Sequence, residues 1–166
     1  MEILLLKNGF FSLKDALKLT KSVHFPFYQS EKENYKYEFY LGIGGNLGDS
    51  KKRFEMFFKK FKDDKRFFVV QTSPLLLNKA FGYTKQPDFL NAVLRVQTSL
   101  NPNQTLKIMQ HYEKIFGRKR SFKNAPRTLD LDILSFSAKT RADKRLILPH
   151  PGIYDRISVI LPAGLM

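Results

Sequence analysis

Between Tyr37 and Phe61 the apolar pattern changes period across one glycine-rich turn, and few folds accommodate that change. Tyr37 to Ile43, rich in aromatic residues, predicts a strand, and Gly44-Gly45-Asn46-Leu47-Gly48 predicts the tight turn that ends it. A helix must follow, because Phe54, Phe57, Phe58 and Phe61 recur at the i, i+3, i+4, i+7 spacing that gathers them on one buried face. Asp49 or Ser50 can cap it, and Lys51, Lys52, Lys59, Lys60 and Lys62 form its wet side. Phe67 to Thr72 and Phe89 to Thr98 read as two further strands, separated by a loop from Asn78 to Asp88 that contains Gly82 and Pro87. Asn101-Pro102-Asn103-Gln104 predicts a helix start with a capping box. Thr105, Ile108, Met109, Tyr112 and Phe116 line that helix, Gly117 ends it, and Thr128 to Phe136 reads as a buried strand. The order strand, helix, strand, strand, helix, strand predicts an α+β, ferredoxin-like, three-layer sandwich with a mainly antiparallel sheet and helices on its faces.

Residues 1–38 stand apart from this pattern and are expected to be an N-terminal extension packed on a core domain of residues 39–166. The extension carries six basic and five acidic residues, so nearly all of the net charge of +14 belongs to the rest. Glu2 to Lys7 predicts a short strand, Asn8-Gly9 a turn, Ser12 the cap of a helix along Leu13, Ala16, Leu17 and Leu19, and Ser30 to Asn34 a solvated linker. The absence of cysteine excludes a disulfide scaffold, a thiol nucleophile and a thiolate-held metal site. No basic-then-apolar leader is visible and no apolar run approaches the ~18 to 20 residues of a membrane span, so a soluble, cytoplasmic protein is expected. A pI near 10 favours a polyanionic or phosphorylated partner.

Asp130-Leu131-Asp132 is the sharpest chemical feature. Residues i and i+2 of a strand share a face, so both carboxylates project together while Leu129, Leu131 and Ile133 face the core. Two adjacent acids repel unless a cation lies between them, and oxygen ligands without Cys or His suit Mg2+. Arg118 to Arg127, five basic residues in ten with no acid, runs up to this pair and resembles a lid that brings positive charge to a polyphosphate. Gly42 to Gly48 lacks the last glycine of the dinucleotide fingerprint and no phosphate-binding loop with G-K-[ST] exists, so any nucleotide is held by metal and arginines. From the residues alone three readings stand: a phosphoryl-type transferase, a metal-dependent nuclease or phosphatase, and a basic ferredoxin-like nucleic-acid-binding module without catalysis.

Lys123 to Leu134, with its A-P-R-T-L-D-L-D-I-L run, resembles the signature of the 6-hydroxymethyl-7,8-dihydropterin pyrophosphokinase family. Gly42 to Gly48 resembles that family's G-S-N-L-G turn, Gln86 to Ala92 its Q-P-x-[YF]-x-N segment, and Leu148-Pro149-His150 its V-P-H, all in order over roughly residues 39–162. The resemblance implies transfer of the terminal diphosphate of ATP to the hydroxymethyl group of the pterin, leaving AMP, in folate biosynthesis. It implies two Mg2+ held by Asp130 and Asp132, and Arg118 and Arg127 engaging ATP. It further implies Gln110, Glu113, Arg120, Arg145, His150 and Arg156 at the nucleotide, and Asn78, Phe81, Phe89 and Asn91 at the pterin. The partners expected are these two substrates, with no nucleic acid or membrane and a monomeric state.

Several positions depart from the family pattern. Ser158 stands where many members carry a second stacking aromatic, Asn124 where some have Trp, and Pro151 where an aromatic can follow the His. Asn78 and Ala80 replace a Thr and a Pro of the pterin lid, and a one-residue shortening makes Arg118 and Arg120 compete for one lid role. The chain ends soon after the last core strand, and residues 1–38 are expected to supply the cover. Altered pterin binding, with activity retained, is the expectation.

Overall fold

One sheet, sealed by phenylalanines on one side and open to ligands on the other, organises the chain. The computed structural model describes residues 3–5, 11–119, 122, 124–137, 139–143 and 145–166. In chain order the elements are β1 (Ile3–Leu5), β2 (Phe11–Leu13), β3 (Ala16–Thr20), β4 (Phe27–Tyr28), β5 (Tyr37–Gly45) and α1 (Ser50–Lys62). There follow β6 (Phe67–Thr72), β7 (Leu75–Asn78), β8 (Phe89–Thr98), α2 (Pro102–Ile115) and β9 (Asp130–Phe136). The chain finishes with β10 (Arg141–Ala142), β11 (Ile147–Leu148), a 3-10 turn (Pro151–Ile153) and α3 (Ile157–Gly164).

β5 lies between β8 and β9, antiparallel to both. The far edge of β8 is shared: its Leu94–Thr98 half pairs with β6 and its Phe89–Asn91 start with β7. The register sets Leu41 against Leu94 and Ile133, and Ile43 against Ala92 and Leu131. Cross-strand partners share a face, so these residues build one apolar layer. Phe54, Phe57, Phe58 and Phe61 of α1 cover that layer, all fully buried, with Met109 and Tyr112 of α2. The Phe57 ring meets Tyr112 edge-on at 5.6 Å and stacks near Phe61 at 5.1 Å. Each such buried side chain stabilises the fold by about 1.5–3 kcal/mol. On the opposite face α3 packs against β7 and β8, which completes the α+β, ferredoxin-like sandwich expected from the order of elements.

Local chemistry sets the helix starts. Asp49, of the two candidate residues, caps α1 by accepting from the Lys52 N–H at 2.9 Å. In α2, Asn101 and Gln104 exchange side-chain and backbone hydrogen bonds at 3.0 Å each, the reciprocal box read from the sequence.

The predicted helix after Ser12 does not exist. Ser12 lies in β2, Lys14-Asp15 turns with Asp15 at φ 67°, and residues 16–20 form β3. A left-handed residue stops a helix. The edge of β7 gives residues 16–20 backbone partners, from Ala16 opposite Asn78 to Thr20 opposite Leu75. Of the strand predicted over Glu2 to Lys7, the described part is Ile3–Leu5, and the Asn8-Gly9 turn lies outside the described residues. β7 was not foreseen, and Asn78, expected to open a loop, is its last residue. The strand predicted from Thr128 begins at Asp130, and just before it the Asn46 and Leu47 N–H groups both donate to the Arg127 carbonyl, outside the β5–β9 ladder. α3 was not foreseen.

The extension reaches the core at several points. Phe25 is fully buried, and His24 stacks on Phe58 at 4.4 Å between ring centroids. Glu55 of α1 accepts from Ser22 Oγ at 2.5 Å and from the His24 N–H at 3.0 Å. Residues 30–34 are exposed, yet Lys32 and Gln97 exchange two hydrogen bonds and Arg95 pairs with Glu31.

Candidate functional site

The open face of the sheet carries the residues that alternate with the apolar layer: Gly42 and Gly44 on β5, Asn91 on β8, and Asp130 and Asp132 on β9. The glycines are required by what faces them. A Cβ at Gly44 would stand 2.8 Å from Asn91 Oδ1, and one at Gly45 would stand 2.6 Å from the Thr128 carbonyl. The first clash would displace a candidate ligand-reading amide. The second would push away the chain leading into the acid pair.

Asp130 and Asp132 project on one face, as the strand spacing predicts, while Leu131 and Ile133 are buried on the other. They differ in partners. Asp130 is held by Arg118 on one oxygen and by Arg127 Nη1 at 2.5 Å on the other. Asp132 is pushed up to about 7, chiefly by burial and then by the neighbouring charges of Asp130 and Glu113. Glu113 is buried and pairs with Arg118, and its Oε1 also accepts from the Leu131 N–H at 2.9 Å. Glu113, Arg118, Asp130 and Arg127 thus form one alternating chain of charges across the mouth of the site.

Two cavities meet at this chain. One, of about 620 Å³, lies against α2 and is lined by Gln110, Glu113 and Arg145. The other, of about 780 Å³, is lined by Asn78, Phe81, Phe89 and Asn91. Arg118 and Asp132 line both. Of the residues expected at a nucleotide, Gln110, Glu113 and Arg145 therefore fall across the acid pair from those expected at a pterin. His150 and Arg156, expected at the nucleotide, line the larger cavity instead. Arg120 lies outside the described residues, as does Lys123.

In the larger cavity Asn91 Nδ2 donates to Asn78 Oδ1 at 2.7 Å, and Asn78 Nδ2 donates to the Lys79 carbonyl at 2.9 Å. The Arg127 guanidinium lies 5.6 Å from the Phe89 ring centroid, and that of Arg156 lies 5.4 Å from Phe81. Burial, followed by the charge of Arg156, holds the His150 imidazole below its ordinary range. Its Nδ1 accepts from the Gly152 N–H at 3.0 Å, so in the neutral ring the proton stands on Nε2, a donor for an anionic oxygen. Ser158, singled out in the sequence as a departure from the family pattern, lines the same cavity.

Asn46, within the glycine-rich turn after β5, ties the site together. Its Nδ2 donates to Gln86 Oε1 at 3.0 Å and to the Pro87 carbonyl at 2.9 Å, and its Oδ1 accepts from the Arg127 N–H at 2.9 Å. Gln86 Nε2 in turn donates to the Asn124 carbonyl at 3.0 Å. The two loops that flank the acids are thus anchored to one buried amide. The signal in the sequence was a polar residue among small ones, which does not say what it binds.

Among the described residues no cluster of three or more His, Cys, Asp or Glu is arranged to hold a metal. The two aspartates nevertheless fit Mg2+, which binds through one or two carboxylates and takes its other ligands from water and substrate phosphates. A cation there would also relieve the unfavourable burial of the Asp132 charge.

Residues 40–164 match the family described as 7,8-dihydro-6-hydroxymethylpterin-pyrophosphokinase (HPPK). The 2-amino-4-hydroxy-6-hydroxymethyldihydropteridine pyrophosphokinase of Campylobacter jejuni is 50% identical over 146 residues, which are 88% of this chain and 93% of that protein. Its counterpart in Helicobacter pylori is 37% identical over 150 residues, with 89% and 92% covered. That of Bacillus subtilis is 34% identical over 123 residues, 74% of each. These matches make the chain an enzyme of the diphosphokinase class. It belongs to the HPPK family.

Proposed function

We propose that this protein transfers the diphosphate of ATP to the hydroxymethyl group of 6-hydroxymethyl-7,8-dihydropterin, giving AMP and the pterin diphosphate. The observation that carries the reading is the acid pair at the junction of two cavities, one suited to each substrate. In the transfer, the hydroxymethyl oxygen forms a bond to the β-phosphorus. The bond from that phosphorus to the α,β-bridging oxygen breaks, AMP leaves, and the hydroxyl proton passes to solvent.

Asp130 and Asp132 are the residues to hold two Mg2+, which would neutralise phosphate charge and align the oxygens of the transfer. The chain's own groups do the rest. Gln110, Glu113 and Arg145 receive the nucleoside side of ATP. Arg118 and Arg127, held beside the reacting position by Asp130, supply positive charge to the moving diphosphate. Arg156 and the Nε2 proton of His150 donate to anionic oxygens from the floor. Phe89 offers a flat apolar face to the pterin, and the Asn78–Asn91 amide pair offers donors and acceptors to its rim. Such transfers depend on positioning and charge neutralisation more than on a strong base.

We assign residues 39–166 to the catalytic domain, residues 1–38 to an extension of it, and the protein to the cytoplasm as a monomer. Lack of cysteine supports a reducing compartment, and no described helix is long and apolar enough to cross a membrane. The decisive test incubates the protein with ATP, Mg2+ and the pterin and measures products. AMP and pterin diphosphate in equal amounts are expected. ADP, free phosphate or untouched ATP would overturn the reading.

A further inference from the structure

The HPPK match begins at residue 40, yet the substrate cavity does not. Lys14 and Asp15, at the turn between β2 and β3, line the larger cavity together with Asn78 and Phe81. Two contacts fix that turn. Ala16 stands opposite Asn78 in the β3–β7 register, and the Lys79 N–H donates to the Asp15 carbonyl at 3.0 Å. The turn is therefore stitched to the point where β7 ends and the lid over the cavity begins. Asn78, the residue so held, carries the Asn91 amide on its Oδ1.

The two relatives aligned over 146 and 150 residues share more of the chain than residues 40–166 can supply, so part of the extension aligns with them. The 123-residue match to the Bacillus subtilis protein is no longer than the family span. The extension thus lies outside the family match, and it brings Lys14 and Asp15 to the cavity wall.

We propose that the Lys14–Asp15 turn is a specificity-determining wall of the pterin end of the site, contributed by the extension, which sets affinity for the pterin and not for ATP. The proposal rests on the function proposed above. Its chemistry follows from the ligand: a pterin rim presents N–H donors and a carbonyl acceptor, which a carboxylate and an ammonium complement. Arg118 and Arg127 pair with Asp130, where phosphates are expected, while Arg156 lies over Phe81. The amide end, at Asn78 and Asn91, is where the extension supplies charge. The left-handed backbone at Asp15 is tolerated by Asp and Asn, so the turn holds its shape when the carboxylate is exchanged for an amide.

The test uses the full chain carrying Lys14→Ala and Asp15→Asn, with Lys18→Gln on exposed β3 as the control. Pterin binding is read from the pterin's own fluorescence with Mg2+ and a non-hydrolysable ATP analogue present, and KM is measured separately for each substrate. The double variant should raise the pterin Kd and KM by about five- to tenfold. Its ATP KM and kcat should stay within about twofold of wild type, with an unchanged melting temperature and an unaffected control. Unchanged pterin constants would overturn the proposal. So would a rise in ATP KM that tracks the pterin's, or a lowered melting temperature, since either marks a purely structural turn. Failure of the wild-type chain to bind the pterin would overturn the parent reading, a result distinct from any of these.

Discussion

The two faces of the central sheet are built from alternate residues of the same strands, yet they share almost no chemistry. Phe39, Leu41, Ile43, Leu94, Val96, Leu131 and Ile133 point toward α1 and α2 and are sealed. One residue away along each strand stand Gly42, Gly44, Asn91, Asp130 and Asp132, which are small or polar and border a large cavity. The first face stores the stability of the molecule. The second face keeps a costly arrangement of like charges that only the first can sustain. Substitutions on the two faces should therefore separate folding from activity.

The widest separation is expected at Asp132. Asp132→Ala should lower kcat by about a thousandfold or more, since several kcal/mol of charge stabilisation depend on the acid pair. It should leave thermal stability equal or higher, because burial and Asp130 already disfavour its charge. A matched fall in melting temperature would break the division between the faces. Asp130 is a less clean site, since its removal leaves Arg118 and Arg127 without the carboxylate that joins them.

The reverse result is expected from the sealed face. Phe57→Ala should cost about 3–5 kcal/mol in denaturant unfolding, the range for emptying an aromatic site in a packed core. The folded fraction should retain its kcat. Gly44→Ala probes the boundary, because the added Cβ meets Asn91 Oδ1. It should cost about 1–3 kcal/mol of stability and raise pterin KM more than ATP KM. Equal increases would place Asn91 outside the pterin site.

The smallest effect concerns the extension. Burial raises the Glu55 carboxyl, but hydrogen bonds from Ser22 and His24 outweigh it, so its pKa lies below the ordinary value. A carboxylate shifted down contributes stability above its unfolded pKa and loses it as pH falls through the folded one. Wild type should therefore lose stability more steeply than Glu55→Gln when the pH is lowered below the ordinary Glu range. Melting curves across that interval would show it, and parallel losses would mean that this contact does not fasten the extension.

The core elements were legible because their signals are local. The phenylalanine spacing of α1, the Asn101–Gln104 box and the paired acids of β9 each need only neighbouring residues to express their geometry. The candidate site was legible in part for the same reason, since strand alternation alone puts Asp130 and Asp132 side by side. β3 was misread because Leu13, Ala16, Leu17 and Leu19 suit a helix, and only the free edge of β7 makes a strand of residues 16–20. Asn46 and Asp15 could not be assigned roles, because their partners lie 40 or more residues away in the chain.

What the sequence determined by itself is the periodicity: which residues face inward, where helices start, and that two carboxylates share a strand face. Tertiary structure alone decided that these acids stand between two cavities, that one buried amide anchors both flanking loops, and that an N-terminal turn joins the wall of the site. The physical reason is distance along the chain. Periods and caps are fixed by bonds and sterics over a few residues, whereas a cavity exists only once remote segments have packed.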